Sequence, residues 1–390
     1  MSIRRSGAAV AAAATVLILL AAGCGSSGAG PASGPSGQSG TAGQGTVSID
    51  LTAQGCQPRP ASAGAGQVQF NVANKSAGSV TEAELRSFDE AHILGERENL
   101  TPGLSGSFTL DVKPGKYKIS CPGAAQPSWT FTVTGEAAAG PPADPRLTTA
   151  ARGYAGYVDD STAALVSRTQ ALCRAIGSGS LARAQREYPQ ARVYYEQIEP
   201  VAEVWGDLDT RIDGRWENPV TVASKFTGFH KIEQLLWADR TLAGGAAQCA
   251  GLVRDERRLH DLVQGVRYTP QEMASGATDL INEAATSKIT GEEERYSHTD
   301  LVAFRANVAG ALEVVSLLKP YLQARDPDLV AMIQRRDASV SGLLARYQAS
   351  PGYDRTGYVS YADVSSGQRR QLSAGVNALA EALSKISGQL

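Results

Sequence analysis

His230 and Glu233 stand three residues apart in the stretch GFHKIEQLLW, in a chain that has only four histidines. On a helix that spacing puts both side chains on one face, close enough to share a ligand. A neutral imidazole nitrogen and a carboxylate oxygen suit zinc or iron. Phe226, Phe229, Ile232, Leu235, Leu236 and Trp237 surround the pair with apolar bulk. A carboxylate in so dry a pocket needs a cationic partner, which a metal, a lysine or an arginine supplies. Two readings follow: a metal-ligand pair, or a His–Glu hydrogen bond that stiffens the fold. The zinc-peptidase pattern H-E-x-x-H is absent, because Lys231 follows His230 and Gln234 holds the i+4 place. The di-iron motif Glu-x-x-His runs in the opposite order and is contributed twice, and no second copy pairs with this one.

A second set of chemistry-bearing residues lies further forward. Cys56 and Cys121 flank the acidic run TEAELRSFDEAHILGEREN, which holds Glu82, Glu84, Asp89, Glu90, Glu96 and Glu98. A blue-copper site takes two His and one Cys with a weak axial Met. Cys121 falls at the end of an expected strand, but the loop after it, PGAAQPSW, supplies neither His nor Met. His92 is the region's one histidine, so electron transfer through such a copper is disfavoured. In an oxidising compartment Cys56 and Cys121 also suit a disulfide, which would rule out thiolate ligation at both. Cys173 and Cys249 read as a structural bridge or as simple burial.

These residues need scaffolds, and the chain supplies two kinds. From residue 46 to 134 the runs VSIDL, QVQFNVAN, SGSFTLDV, GKYKIS and WTFTVTG alternate apolar and polar side chains between Gly, Pro and Asn. That pattern predicts a β-sandwich. The Pro- and Ala-rich segment 135–146 reads as a linker. Over 147–390 apolar residues recur at three and four, which predicts about seven helices in an antiparallel bundle. His230 and Glu233 fall on a helix expected from about Ser224 to Asp239. Thr269-Pro270-Gln271-Glu272 forms a capping-box start. Ser297 or Thr299 caps the segment through Leu318, and Asp326-Pro327 opens another helix.

The N-terminus sets the compartment. Arg4 and Arg5, a short apolar core and small residues before Cys24 describe a secretory signal over 1–23. Ala21, Ala22 and Gly23 resemble a lipobox, with its leucine, Leu20, one place early. Cys24 is then the lipidated first residue, followed to residue 45 by a Gly/Ser/Pro tether that cannot pack a core. Four cysteines remain for two disulfides outside the cytoplasm. The formal net charge of −2, without a basic block, argues against nucleic acid as a partner.

GFHKIEQLLW, together with TSKITGEEERYSHTDLVAFRANVAGA (286–311), closely resembles the imelysin-like helical domain of EfeO-type iron-uptake proteins. The resemblance covers essentially the whole helical region, and the sandwich sits where such proteins carry a cupredoxin-like domain. It implies His230 and Glu233 as metal ligands, with further acids from other helices. Glu292, Glu293 and Glu294 form the carboxylate cluster of the second segment, opening toward His298 and Asp300. Glu294 is the preferred ligand there, the alternative being a solvated turn and helix cap. In the front domain the resemblance implies a site for copper or iron from Cys56, Cys121 and a glutamate, Glu82 or Glu84. Implied partners are a membrane iron permease and a Dyp-type haem peroxidase. The expected cargo is Fe(III) or Fe(II), with zinc compatible with the imidazole. The expected role is a non-enzymatic, extracytoplasmic carrier anchored to the cell membrane by lipid, in the periplasm or at the cell surface, for which a monomer suffices. The alternatives are a zinc metallopeptidase-like hydrolase and a polysaccharide- or ligand-binding module.

Overall fold

The computed structural model describes residues 45–390 apart from 91–92, 99, 136–143, 217–225 and 354–355. The signal segment, Cys24 with its tether, most of the linker and His92 lie outside the described residues.

The front region is two sheets face to face, ordered β2-β1-β4-β7 and β3-β9-β8-β5-β6. Five of these strands match the runs that alternate in sequence: β1 (Gly45–Leu51), β4 (Gly66–Asn74), β7 (Ser105–Val112), β8 (Gly115–Ser120) and β9 (Ser128–Thr134). Alternation works because successive side chains point to opposite faces. On β4, Val68, Phe70 and Val72 turn inward, and Phe70 stacks on Phe108 of β7 at 4.8 Å. β1 runs parallel to β4, from Gly45 beside Val68 to Leu51 beside Asn74. The short β2 (Pro58–Arg59) and β3 (Ser62–Gly64) complete the edges. Two further strands, β5 (Ala83–Ser87) and β6 (Ile93–Arg97), lie inside the acidic run. Their glutamates face a polar cleft, so the apolar alternation that marks a strand is broken there.

The chain then turns helical. Among the described residues the seven long helices are α1 (Pro145–Gly177), α2 (Leu181–Glu196), α6 (Gly245–Val263), α7 (Pro270–Thr286), α8 (Asp300–Arg325), α9 (Pro327–Ala345) and α10 (Ser366–Leu383). Between α2 and α6 come the short α3 (Glu199–Ala202), α4 (Gly206–Asp213) and α5 (Gly228–Glu233). Thr269 and Glu272 form the capping box at the start of α7, and Asp326 caps α9 through the Leu329 amide. α1 packs against α2, α6 and α8. Although α8 is long and apolar enough to cross a membrane, 61% of its apolar window is buried inside the bundle, so here it is a core helix.

Two ties matter for the site. A Cβ on Gly310 of α8 would lie 2.2 Å from the Gln197 carbonyl, so glycine lets α8 press onto the end of α2. Between sandwich and bundle, Arg97 of β6 pairs with Asp279 of α7 at 3.1 Å.

Candidate metal centre

α5 begins on a glycine for a steric reason. Gly228 has φ +78°, and a Cβ there would stand 2.1 Å from the Ile212 carbonyl. Only glycine lets the start of α5 pass so close to the end of α4. His230 on α5 is thereby brought to Asp213, the last residue of α4. Past Glu233 the helix widens into a π-helical turn over Gln234–Ala238, a local form often found beside functional sites.

Glu233 is fully buried, and both of its oxygens are engaged. Oε1 accepts the Tyr296 and Ser297 amides at 2.9 and 2.7 Å, and Oε2 lies 3.2 Å from His230 Nδ1. A carboxylate on one ring nitrogen fixes the imidazole and aims the other outward. The outward atom, Nε2, is buried and has no hydrogen-bond partner among the described residues. It faces Asp213 Oδ1 at 3.5 Å and Glu293 Oε1 at 3.7 Å. These three donor atoms lie within 4.8 Å of one another, close enough to hold one metal ion. The polypeptide itself carries opposing charges into the cluster.

Arg192 of α2 is 2% exposed and spreads its guanidinium over four carboxylates. It pairs with Glu196 and Asp213, with Glu293 Oε1 at 2.5 Å and with Glu294 Oε1 at 2.6 Å. Arg215 takes the other Glu293 oxygen at 2.6 Å. Lys288, fully buried, pairs with Glu199 and, at 3.0 Å, with Glu196. Asn307 of α8 donates to the same Glu196 oxygen at 2.9 Å.

Charge sets the protonation states. Burial and the Arg192 charge push the His230 imidazole down, but Asp213, Glu233 and Glu293 outweigh them and raise it to about 10. Burial raises Glu293 too, yet Lys288, Arg215, His230 and Arg192 together hold it well below the usual carboxylate range. Burial lifts Glu294 well above that range despite Arg192. His230 is therefore a cation at neutral pH in this arrangement, and it must shed its proton before binding a metal.

The expected residues fall out unevenly. His230 stands at the centre. Glu233 orients the ring from its far side rather than sharing a ligand with Nε2. Glu293 faces Nε2, whereas the preferred Glu294 holds Arg192 and accepts from Ser297 Oγ at 2.9 Å. Glu292 is exposed and pairs with Arg295, the solvated-turn outcome. Asp300 accepts the Glu294 amide at 3.3 Å, and burial raises it to about 7.

In the sandwich the expectation of thiolate ligands is corrected. Cys56 and Cys121 form a disulfide within the buried core, so neither sulfur is available to a metal. Cys173 and Cys249 bridge α1 and α6. Glu84 is buried against Arg86, with 2.6 Å between Oε2 and Nε. Glu82, Glu84, Glu96 and Glu98 line a cleft of about 720 Å³ that also reaches Asp213 and Glu293. The acidic run thus faces the His230 cluster across a single polar space.

Sequence reading missed Asp213, Arg192, Glu196 and Lys288. Arg192 and Glu196 stand four apart in ARVYYE, an ordinary surface spacing until burial is known. Lys288 lies inside the second family-like segment, ahead of Glu292, Glu293 and Glu294, and nothing in its spacing marks it as buried.

Comparisons with known proteins agree in direction. The family profile for imelysin, a peptidase M75 family, matches residues 150–386, and that for a cupredoxin-like domain matches 12–133. The iron uptake system component EfeO of Yersinia pestis is 36% identical over 349 residues, covering 88% of this chain and 91% of the relative. That of Escherichia coli (strain K12) is 35% identical over the same shares. That of Yersinia pseudotuberculosis serotype I is 36% identical over 347 residues.

Proposed function

The chain belongs to the imelysin family and, within it, to the EfeO-type iron uptake components, and from that premise we propose that it captures iron outside the cytoplasm and delivers it to a membrane iron permease. One observation carries the binding step: the buried Nε2 of His230, without a hydrogen-bond partner among the described residues and aimed at Asp213 and Glu293. These three are the ligands of the reading. Glu233 is the positioning residue behind the ring, and Glu294 holds Arg192. Two carboxylates and one imidazole suit Fe(III) and Fe(II), and also admit zinc.

Arg192 pairs with the same Asp213 and Glu293 side chains that iron would use. Iron entry therefore displaces the guanidinium from those two acids while Glu196 and Glu294 retain it. The competition keeps affinity moderate, as a carrier needs. The acidic cleft supplies an approach that concentrates cations beside the site. Cys24 anchors the chain to the membrane by lipid, and the tether lets the folded part reach the permease. A Dyp-type haem peroxidase is the further partner that the family resemblance implies. With its cysteines bonded to each other, the sandwich presents carboxylate oxygens along the cleft, which suit hard iron better than copper.

The role is binding and transfer rather than catalysis, supported by the relatives' name and by the absence of H-E-x-x-H. Because the family profile carries a peptidase description, zinc-dependent cleavage of a peptide library that is lost in Glu233→Ala would favour the hydrolase reading.

The test is calorimetry with elemental analysis on the full chain, using Fe(II), Fe(III), Zn(II) and Cu(II). Iron binding is expected in wild type and lost in His230→Ala. Glu233→Gln should weaken it by about 10–100-fold, as disturbance behind a ligating ring does. Equal binding by folded His230→Ala would overturn the assignment.

A further inference from the structure

Lys288 has surroundings unusual for a lysine. It is 0% exposed, and its ammonium sits among carboxylates drawn from separate elements. Glu199 and Glu196 pair with it closely, while Glu283 Oε2 and Glu293 Oε1 each stand 3.9 Å away. Glu196, Glu199 and Glu293 place one oxygen each within 4.8 Å of one another. Two oxygens on opposite sides of a hard cation are separated by roughly 4–5 Å, twice a metal–oxygen bond. The ammonium thus occupies the interior of an all-oxygen cation site.

This triad shares Glu293 with the Asp213/His230/Glu293 set. The shared atom is Oε1, 3.7 Å from His230 Nε2 and 3.9 Å from Lys288 Nζ. Asn307 adds an independent sign. It is fully buried, and its Nδ2 donates to the Glu196 carbonyl and Glu196 Oε2, each at 2.9 Å, and to Glu199 Oε2 at 3.4 Å, while its Oδ1 has no hydrogen-bond partner among the described residues. A half-turn of the amide exchanges nitrogen for oxygen at that position, at the loss of the bond to the Glu196 carbonyl. Asn307 can therefore serve carboxylates that hold an ammonium, or offer a further oxygen to a metal ion.

We propose that Lys288 is a built-in cation that plugs a second, carboxylate-only metal position adjoining the His230 centre and so keeps that centre at one ion. Removing its charge converts the cluster into a two-ion site bridged by Glu293, selective for hard divalent or trivalent cations. The inference rests on the reading of His230, Asp213 and Glu293 as the first site.

The test uses the full chain and Mn(II), a redox-stable hard ion whose paramagnetic resonance spectrum distinguishes isolated from bridged ions. Wild type and Lys288→Arg are expected to bind one Mn(II) per chain with an isolated-ion spectrum. Lys288→Met, close in length and neutral, is expected to bind two with an exchange-coupled spectrum. Adding Glu199→Gln to Lys288→Met should return the count to one. If Lys288→Met folds poorly, Mn(II) should restore it and raise its melting temperature more than it does for wild type. One ion in wild type and one in folded Lys288→Met, or a misfolded Lys288→Met that Mn(II) does not rescue, overturns this inference alone. No ion in wild type overturns the first-site reading beneath it.

Discussion

Arg192 shows what a single side chain contributes. Its guanidinium is buried among Glu196, Asp213, Glu293 and Glu294, and its face lies 5.5 Å from the Phe229 ring centre. Removing one partner from a buried ion cluster leaves uncompensated charge at about 3–5 kcal/mol. Arg192→Met should therefore lower stability by that order in denaturant titrations, whereas Arg211→Met, at a partly exposed ion pair, should fall within about 1 kcal/mol. Glu256 of α6 poses the opposite problem. It is fully buried, accepts from Thr169 at 2.6 Å, and its Oε2 has no partner among the described residues. Burial raises it well above 4.5. The folded chain then keeps a proton that the unfolded chain releases above that pH, so stability is lost as pH rises from about 4.5 toward the folded value. Glu256→Gln imitates the protonated form. The wild-type melting temperature should fall relative to this variant as pH goes from 4.5 to 8; a constant gap would contradict the argument.

At the scale of elements, the site depends on how closely α4 meets α5. Gly228→Ala would put a methyl against the Ile212 carbonyl in a left-handed conformation. A strained position of that kind costs on the order of 1–3 kcal/mol. The larger effect should be on function, because α5 must retreat and carry His230 away from Asp213. Iron affinity should drop even where circular dichroism shows the bundle intact. Thr269→Ala is the contrasting case. It removes a capping box on α7, costs about 1 kcal/mol, and should leave iron binding unchanged. The same contrast explains what the sequence made legible. β1, β4, β7, β8 and β9, the capping box and the helical grammar are local patterns, and periodicity reports them. His230 was visible because a histidine in an apolar stretch is conspicuous. Asp213 was not, because it lies on an element distant in sequence and looks like a surface acid there, and Glu293 was legible only as one of three adjacent glutamates, of which spacing alone does not select the one that faces the ring. The contact between Glu233 and the ring follows from their spacing on α5, whereas the hold of the Tyr296 and Ser297 amides on its other oxygen, from a distant turn, is encoded by no spacing there.

Across the whole molecule, both disulfides are local. Cys56–Cys121 fastens the sandwich and Cys173–Cys249 joins α1 to α6, so neither spans the two parts. Removing a native disulfide from a small exported domain typically costs about 2–5 kcal/mol. Reductant should therefore lower the thermal transition of each part separately, as scanning calorimetry resolves, while the Arg97–Asp279 contact is unaffected by it. Two disulfides also suit life outside a reducing cytoplasm. The charged cluster has a further consequence. Arg192, Lys288 and Arg215 bring their own balance to the carboxylates, so the scaffold does not depend on its cargo to hold those acids together. On the proposed carrier reading, a receptacle neutralised from within can surrender its ion and keep its shape, ready for another round, which suits repeated use rather than storage.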